Sequence, residues 1–292
     1  MSATVKVLNL VEACGVGTGG PSPALVEACG VETSGPSPAL EVSQLLQAAM
    51  LRLTNTFLDD VKGTVDYVAL RHSQEYREYR TLATRLQEVD VSTLDDSEKK
   101  AFFINVYNAL TMESVSQLEE LPASTLEVDH FWTSSAYLIG PHSFTLDQIE
   151  HGILRGNKSH PSTGSPVLPA GDPRLQYSVR HLDPRVHFAL NCGAKTCPVV
   201  RVYSGKNLEQ ALEAATRSYL SQEVRVKEGV LWLPQVLQWY QQDFSHHQHG
   251  LLRWIQGYVE DAERAAISAL LTAEHGTPPS VQYFYDWSLN TA

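Results

Sequence analysis

The sequence predicts an α+β fold, mostly helical with a small sheet, because apolar residues recur at helical spacing along most of the chain and alternate with strand periodicity in only a few short stretches. Those stretches are Val186 to Asn191, the segments Glu223 to Lys227 and Val230 to Leu233, and Val281 to Tyr285. No shift in composition marks an internal boundary after residue 43, so residues 43–292 are expected to form one globular domain.

Residues 10–39 hold a tandem duplication: Leu10-Val11-Glu12-Ala13-Cys14-Gly15-Val16 returns 15 residues later as Leu25 to Val31, and each copy ends in Gly-Pro-Ser-Pro-Ala. Two short copies rich in Gly, Pro and Ser cannot bury a core, so residues 1–42 are expected to be a disordered tail with Cys14 and Cys29 incidental. From Glu41, the steps Leu45, Ala49, Leu53 and Phe57 indicate a helix, and a second is expected over Ser73 to Val89. Asp95 and Glu98 suit a capping box at the head of the clearest helix, where Phe103, Val106, Tyr107 and Leu110 make one apolar stripe. Asn105 and Asn108 fall on a different face, three apart. Thr145 and Gln148 suit a second capping box, with Leu146, Ile149 and Ile153 facing the core and Glu150, His151 and Arg155 turned elsewhere. The long loop Gly156 to Pro173 is read as an insertion ahead of a lid.

The segment Val186 to Asn191 is expected to be a strand with Val186, Phe188 and Leu190 on one face and His187, Ala189 and Asn191 on the other. It leads into a turn holding Cys192 and Cys197. Asn207 and Gln210 are placed to cap a helix with Leu208, Leu212, Ala215 and Tyr219 on its core face, and Glu228-Gly229 is a two-residue hairpin turn. Pro234 then suits a first helical turn, two further helices are expected over Leu251 to Tyr258 and Ala262 to Ala273, and Val281 to Tyr285 is a strand. Trp239-Tyr240 and Trp254 are read as core aromatics.

The 22 basic and 33 acidic residues leave a net charge of −11 spread along the chain, which argues against nucleic acid or an anionic membrane as partner. A small molecule or a protein or peptide substrate is the expected partner. Four cysteines in 292 residues are too few for a disulfide scaffold, and no basic flank with a long apolar run opens the chain, so the location is expected to be cytoplasmic. No stretch approaches ~20 apolar residues, the length of a membrane span. No Gly-x-Ser-x-Gly, Gly-x-x-x-x-Gly-Lys or Gly-x-Gly-x-x-Gly occurs, which excludes serine-hydrolase, P-loop and dinucleotide readings.

Five phrases in order resemble one family: Phe102-Phe103-Ile104-Asn105-Val106-Tyr107-Asn108-Ala109-Leu110, Ile149-Glu150-His151-Gly152-Ile153-Leu154-Arg155, Asp183 to Cys192, Cys197-Pro198, and Tyr285-Asp286-Trp287-Ser288-Leu289-Asn290. Together they are similar to the domain-of-unknown-function family numbered 547. The resemblance implies a single domain used by bacteria, plants and animals, fused in some to leucine-zipper, glutaredoxin or DEP modules, and it brings no established reaction. It marks the polar residues of those phrases as candidates for a shared site. Asn108, Glu150, Arg155, Cys197, Asp286 and Asn290, with Lys195 of the turn, are the expected binding residues.

A cysteine nucleophile needs a lowered pKa and a base oriented by a third group. Cys192 is the expected nucleophile, since it enters a turn where backbone N–H groups and Lys195 favour a thiolate. His151 is the expected base, with His187 the alternative, and Asn105, Asn191 or Asp286 are available to orient it or to stabilise an oxyanion. Such a site resembles the cysteine–histidine logic of papain-like and transglutaminase-like enzymes, and implies a hydrolase or acyl transferase without cofactor or metal. Two alternatives stay open. One is a non-catalytic scaffold with the cysteine as a small buried hydrophobe. The other is redox or zinc use of Cys192 and Cys197, with His151 and His187 completing a ligand set; the run His246-His247-Gln248-His249 is read as solvated surface.

Overall fold

The computed structural model describes residues 5–10, 37–272 and 281–292, so the duplication and its two cysteines lie almost wholly outside the described residues. The fold is α+β, mostly helical with small sheets. Strand β1 (Lys6–Val7) precedes helix α1 (Pro38–Phe57), which Ser37 caps by accepting from the Leu40 N–H at 3.3 Å. The buried face of α1 is Ala39, Val42, Leu46, Ala49, Met50 and Leu53, whereas Leu45 is 39% exposed. The expected stripe is thus rotated by about one residue, because Leu46 and Met50 pair with Ala49 and Leu53 at i, i+3, i+4 spacing.

A short hairpin of β2 (Leu58–Asp59) and β3 (Thr64–Val65) leads to α2 (Tyr67–His72) and α3 (Gln74–Ala83). Next is α4 (Asp96–Ser116), whose predicted Asp95–Glu98 capping box is present. From Ala101 to Ser116 every residue of α4 is buried. The expected one-sided stripe is instead the axis of the main core, and its two asparagines, Asn105 and Asn108, serve neighbouring backbone.

After α5 (Phe131–Ser134), β4 (Ser135–Ile139) pairs antiparallel with β5 (His142–Thr145) and parallel with β1. Residues 5–10, assigned above to the tail, therefore join the body. Leu8 is buried, and the Asn9 side chain donates to the carbonyls of Ala83 at 3.0 Å and Leu138 at 2.9 Å. The Thr145–Gln148 capping pair is present, but the helix it opens, Gln148–Leu154, is a π-helix.

The expected strand over Val186 to Asn191 is absent. Pro184–Phe188 is a 3₁₀ turn, since Pro184 presets φ and the Asp183 carboxylate accepts from the Arg185 N–H at 3.0 Å. The residues that follow pair with a side chain where a strand would need a neighbour: Asn108 donates to Ala189 O at 2.9 Å and accepts from the Asn191 N–H at 2.9 Å.

A second apolar cluster is built from α6 (Leu208–Glu223), the hairpin β6 (Arg225–Lys227) and β7 (Val230–Pro234), then α7 (Val236–Trp239), α8 (Gln241–Phe244), α9 (Gln248–Gln256) and α10 (Asp261–Thr272). Pro234 ends β7 instead of opening a helix. Strand β8 (Val281–Phe284) pairs parallel with β7. The C-terminal residues then buckle the cysteine turn: Lys195 N donates to Ser288 O at 2.8 Å, and Asn290 N to Gly193 O at 2.9 Å. No helix among the described residues is long and apolar enough to cross a membrane.

Candidate active site

Between the two apolar clusters lies a cavity of about 690 Å³. Tyr107 of α4, Glu150 and His151 of the π-helix, and His187 of the 3₁₀ turn form one wall; Cys192, Cys197 and Tyr285 form one end. Trp132, Trp239 and Trp287 pack edge to face and tilted around the thiol end, with ring centroids 5.5–6.0 Å apart. Asp147 and His160 line the cavity as well, and neither is among the hydrogen-bond partners of the two sulfurs.

The cysteine turn is shaped by Gly193, whose φ of +87° suits glycine and whose missing Cβ would meet Thr125 Cγ2 at 3.0 Å. Cys192 and Cys197 are free thiols with their sulfurs 3.2 Å apart. Cys197 Sγ also receives the Cys192 N–H at 3.2 Å and lies 3.2 Å from the Tyr285 hydroxyl. Burial pushes the Cys197 thiol up, but hydrogen bonds from Cys192 Sγ–H, Tyr285 and the backbone outweigh it and bring it below its ordinary range. Cys192, as the donor of that pair and buried as well, is held well above the ordinary thiol value. Of the two sulfurs, Cys197 Sγ is the one with the Cys192 N–H and the Tyr285 hydroxyl grouped around it.

His187 lies flat on Tyr240, ring centroids 3.9 Å apart, and its Nε2 donates to Asp243 Oδ2 at 2.9 Å. Asp243 is paired with Arg155 at 2.7 Å and Lys158 at 3.3 Å. Burial opposes the Asp243 charge, but the bonds from His187 and Arg155 prevail and hold its carboxyl well below the usual carboxylate range. Glu150 accepts from Tyr107 at 3.0 Å and Tyr240 at 2.6 Å. Burial likewise works against its charge, and the adjoining His151 with the tyrosine hydroxyls brings its carboxyl down.

His151 lies 2.9 Å through Nδ1 from Arg155 Nη1, and burial lowers its pKa to about 4. His160 packs edge-on at 4.2 Å between ring centroids, and its Nε2 is 3.9 Å from Asp147 Oδ1. Burial and the Glu150 charge push Asp147 up to about 7. Among the described residues, Asp147, His151 and His160 are the one group of three whose possible ligand atoms all fall within 4.8 Å of each other. The alternative zinc set of two thiols with His151 and His187 is not assembled, and no histidine among the described residues hydrogen-bonds either sulfur.

Cys192, Cys197, His151, His187 and Glu150 thus share the cavity, and Arg155 stands behind it. Asn105 and Asn108 do not line it: Asn105 donates to Tyr203 O at 2.7 Å and accepts from Tyr203 N–H at 2.9 Å. Asn191 donates to Pro198 O at 2.8 Å and accepts from the Gly193 N–H at 2.8 Å. Asn290 accepts from the Tyr67 hydroxyl at 2.7 Å, and Asp286 caps the Ser288 N–H at 2.9 Å. Lys195 borders a separate groove on the outer face of the turn. Asp243, Tyr240, Tyr285, Asp147 and His160 escaped the sequence reading. Tyr285 opens one of the quoted phrases, whereas Asp243 has only its place after Trp239-Tyr240. Tyr240 is a cavity residue, not a simple core aromatic; Trp254 packs on Phe188 and Phe244 as expected. The loop read as an insertion contributes His160, Pro161 and Ser162 to the cavity.

No curated protein and no solved structure matches the chain. A family model described as "Protein of unknown function, DUF547" matches residues 91–220, a span that includes α4, the π-helix, the cysteine turn and most of α6. Four of the five phrases fall inside that span and each of the five lends residues to the cavity, so that residues 91–220 of the chain match the DUF547 family.

Proposed function

We propose that the cavity is the active site of a thiol-dependent hydrolase or acyl transferase with Cys197 as its nucleophile. The observation that supports this is the set of donors around Cys197 Sγ: the Cys192 thiol and N–H and the Tyr285 hydroxyl, each at 3.2 Å. A thiolate held by such donors forms without a contacting base. It attacks a substrate carbonyl, a C–S bond forms, and collapse of the tetrahedral oxyanion expels the leaving group, which takes a proton from solvent. His187 donates from Nε2 to Asp243, so its Nδ1 holds the lone pair that deprotonates the water or acceptor of the second step. That step releases the acid or transferred acyl product and restores the thiolate. The roles are those of a papain-like or transglutaminase-like site, with Cys197 and His187 in place of Cys192 and His151.

Treating the full chain with limiting iodoacetamide at a pH below about 8.5 should alkylate Cys197 ahead of Cys192. A panel of activated esters and thioesters should yield an acyl adduct on Cys197, absent in Cys197→Ser. Prior labelling of Cys192, or no adduct with any ester, would sink the proposal. The sulfur separation of 3.2 Å favours a second reading, dithiol oxidation. There, Cys197 attacks a substrate disulfide and Cys192 resolves the mixed disulfide. The protein loses two electrons and two protons, and the substrate becomes two thiols. Loss of two hydrogens, reversed by dithiothreitol, with no acyl adduct would select it.

A further inference from the structure

The part of the cavity lined by Asp147, His151 and His160 carries a pattern of spent lone pairs. A guanidinium has no acceptor, so at 2.9 Å the Arg155 Nη1 group donates to His151 Nδ1. Arg155 is not free to withdraw, because Nε and Nη2 are paired with Asp243 and Nη1 also donates to Ser159 O at 3.1 Å. His160 Nδ1 is used in the same way, accepting from the backbone N–H of Ser162 at 3.1 Å. A neutral imidazole whose Nδ1 accepts must carry its proton on Nε2. Both rings therefore present an N–H, not a lone pair, at their second nitrogen. Neither Nε2 has a hydrogen-bond partner among the described residues, and both rings line the cavity.

This inventory decides what the subsite takes. A transition-metal ion needs imidazole lone pairs, and both are already used. A cationic ligand needs charged open acceptors, yet Glu150 is occupied by Tyr107 and Tyr240, Asp243 by His187, Arg155 and Lys158, and Asp147, pushed up to about 7 by burial and Glu150, stands in its acid form below neutral pH. What stands open is two N–H donors beside the Asp147 carboxyl. The groups facing that carboxyl are Glu150 and His151 from the π-helix and His160 from the loop. We infer that Asp147, His151 and His160 form a recognition subsite for a carboxylate, so that the substrate carries a carboxylate remote from the group that meets the thiols. The two imidazole N–H groups donate to the carboxylate, and Asp147 in its acid form supplies a third hydrogen bond. This deepens the thiol-enzyme reading and rests on it for the reacting end only.

The test uses the full chain carrying Cys197→Ser, which removes the proposed nucleophile but leaves the subsite intact. Nitrogen-15 spectra should show the Nε2–H tautomer for His151 and His160. Glutarate should shift both signals, and glutaramide of the same length should bind at least tenfold more weakly. Because Asp147 titrates at about 7, glutarate affinity should fall about tenfold from pH 6 to pH 8, and Asp147→Asn should abolish that slope. His160→Gln, at a partly exposed position, should weaken glutarate binding while the protein stays folded. The inference is overturned if glutarate leaves both signals unmoved, or if cobalt(II) gives a tetrahedral absorption band that His160→Gln removes. Glutarate binding without any acyl adduct on the unsubstituted chain would keep the subsite and discard the thiol mechanism.

Discussion

Asn108 illustrates how a buried amide acts in this protein. It is fully buried, and both its donor and its acceptor are committed to the backbone on either side of Leu190, just before the cysteine turn. Its replacement by Ala leaves the Ala189 carbonyl and the Asn191 N–H without partners, at about 1–3 kcal/mol for a buried unpaired group. Asn108→Ala should therefore lower the urea midpoint by the equivalent of about 2–4 kcal/mol and slow the labelling of Cys197. Asp243 acts through charge. Its carboxyl is depressed in the folded state, so the unfolded chain binds a proton at a higher pH than the folded one. Its contribution is complete above the unfolded carboxylate value of about 3.9 and is lost as pH falls below it. Asp243→Asn should flatten the acid limb of a stability-versus-pH curve between about pH 4 and pH 2, and a curve unchanged from the parent would refute this assignment. The types of residue were legible in the sequence, but their roles were not. An asparagine three residues from another looks the same whether it faces substrate or backbone.

The capped segment after Thr145 shows the same limit for an element. The capping box and the apolar positions Leu146, Ile149 and Ile153 were readable, and all three are buried. The π-geometry was not, because it arises from contacts that no local pattern records. Arg155 N donates to Glu150 O at 2.8 Å, a five-residue step, and Ser178 Oγ donates to Gly152 O at 2.5 Å. Gly152 is required here, since a Cβ would stand 2.8 Å from Leu168 Cδ1. Leu168 is itself buried and ties the loop over the helix, with Asn157 bonded to its backbone at 2.9 and 3.0 Å. Gly152→Ala should displace Leu168, cost about 1–3 kcal/mol and open the loop around His160 to protease, read as faster cleavage between residues 156 and 173. The Val186 to Asn191 stretch failed as a strand for a related reason. Alternation is necessary for a strand but does not supply a neighbour with free ladder groups.

On the scale of the molecule, residues 5–10 and residues 286–292 both join the body. Lys6–Val7 covers the outer side of β4, Lys6 Nζ reaches Gln117 at 2.8 Å, and Asn9 binds between the end of α3 and β4. Removal of residues 1–10 should lower the melting temperature by several degrees, where a tail without contacts would change nothing. The remainder is expected to unfold as one unit, because Phe188 of the 3₁₀ turn belongs to the second apolar cluster while its neighbours Val186 and Ala189 belong to the first. Two separate calorimetric transitions would contradict that expectation.

The Asp95–Glu98 and Thr145–Gln148 capping pairs and the Glu228-Gly229 hairpin were determined by the sequence alone, since each depends on side chains within a few residues of one another, whereas Asn207, expected to cap α6, accepts from Ser204 instead. The family match is legible for the same reason, since four of the short phrases quoted above fall within residues 91–220. Which sulfur gathers hydrogen-bond donors was decided by the tertiary structure, because Tyr285 comes from 88 residues away to reach Cys197. Long-range contact also made His187 the oriented imidazole, through an aspartate 56 residues beyond it, while Arg155 took the lone pair of His151. Hydrogen-bond donors and acceptors assign chemistry by distance in space, and local sequence spacing carries no record of that distance.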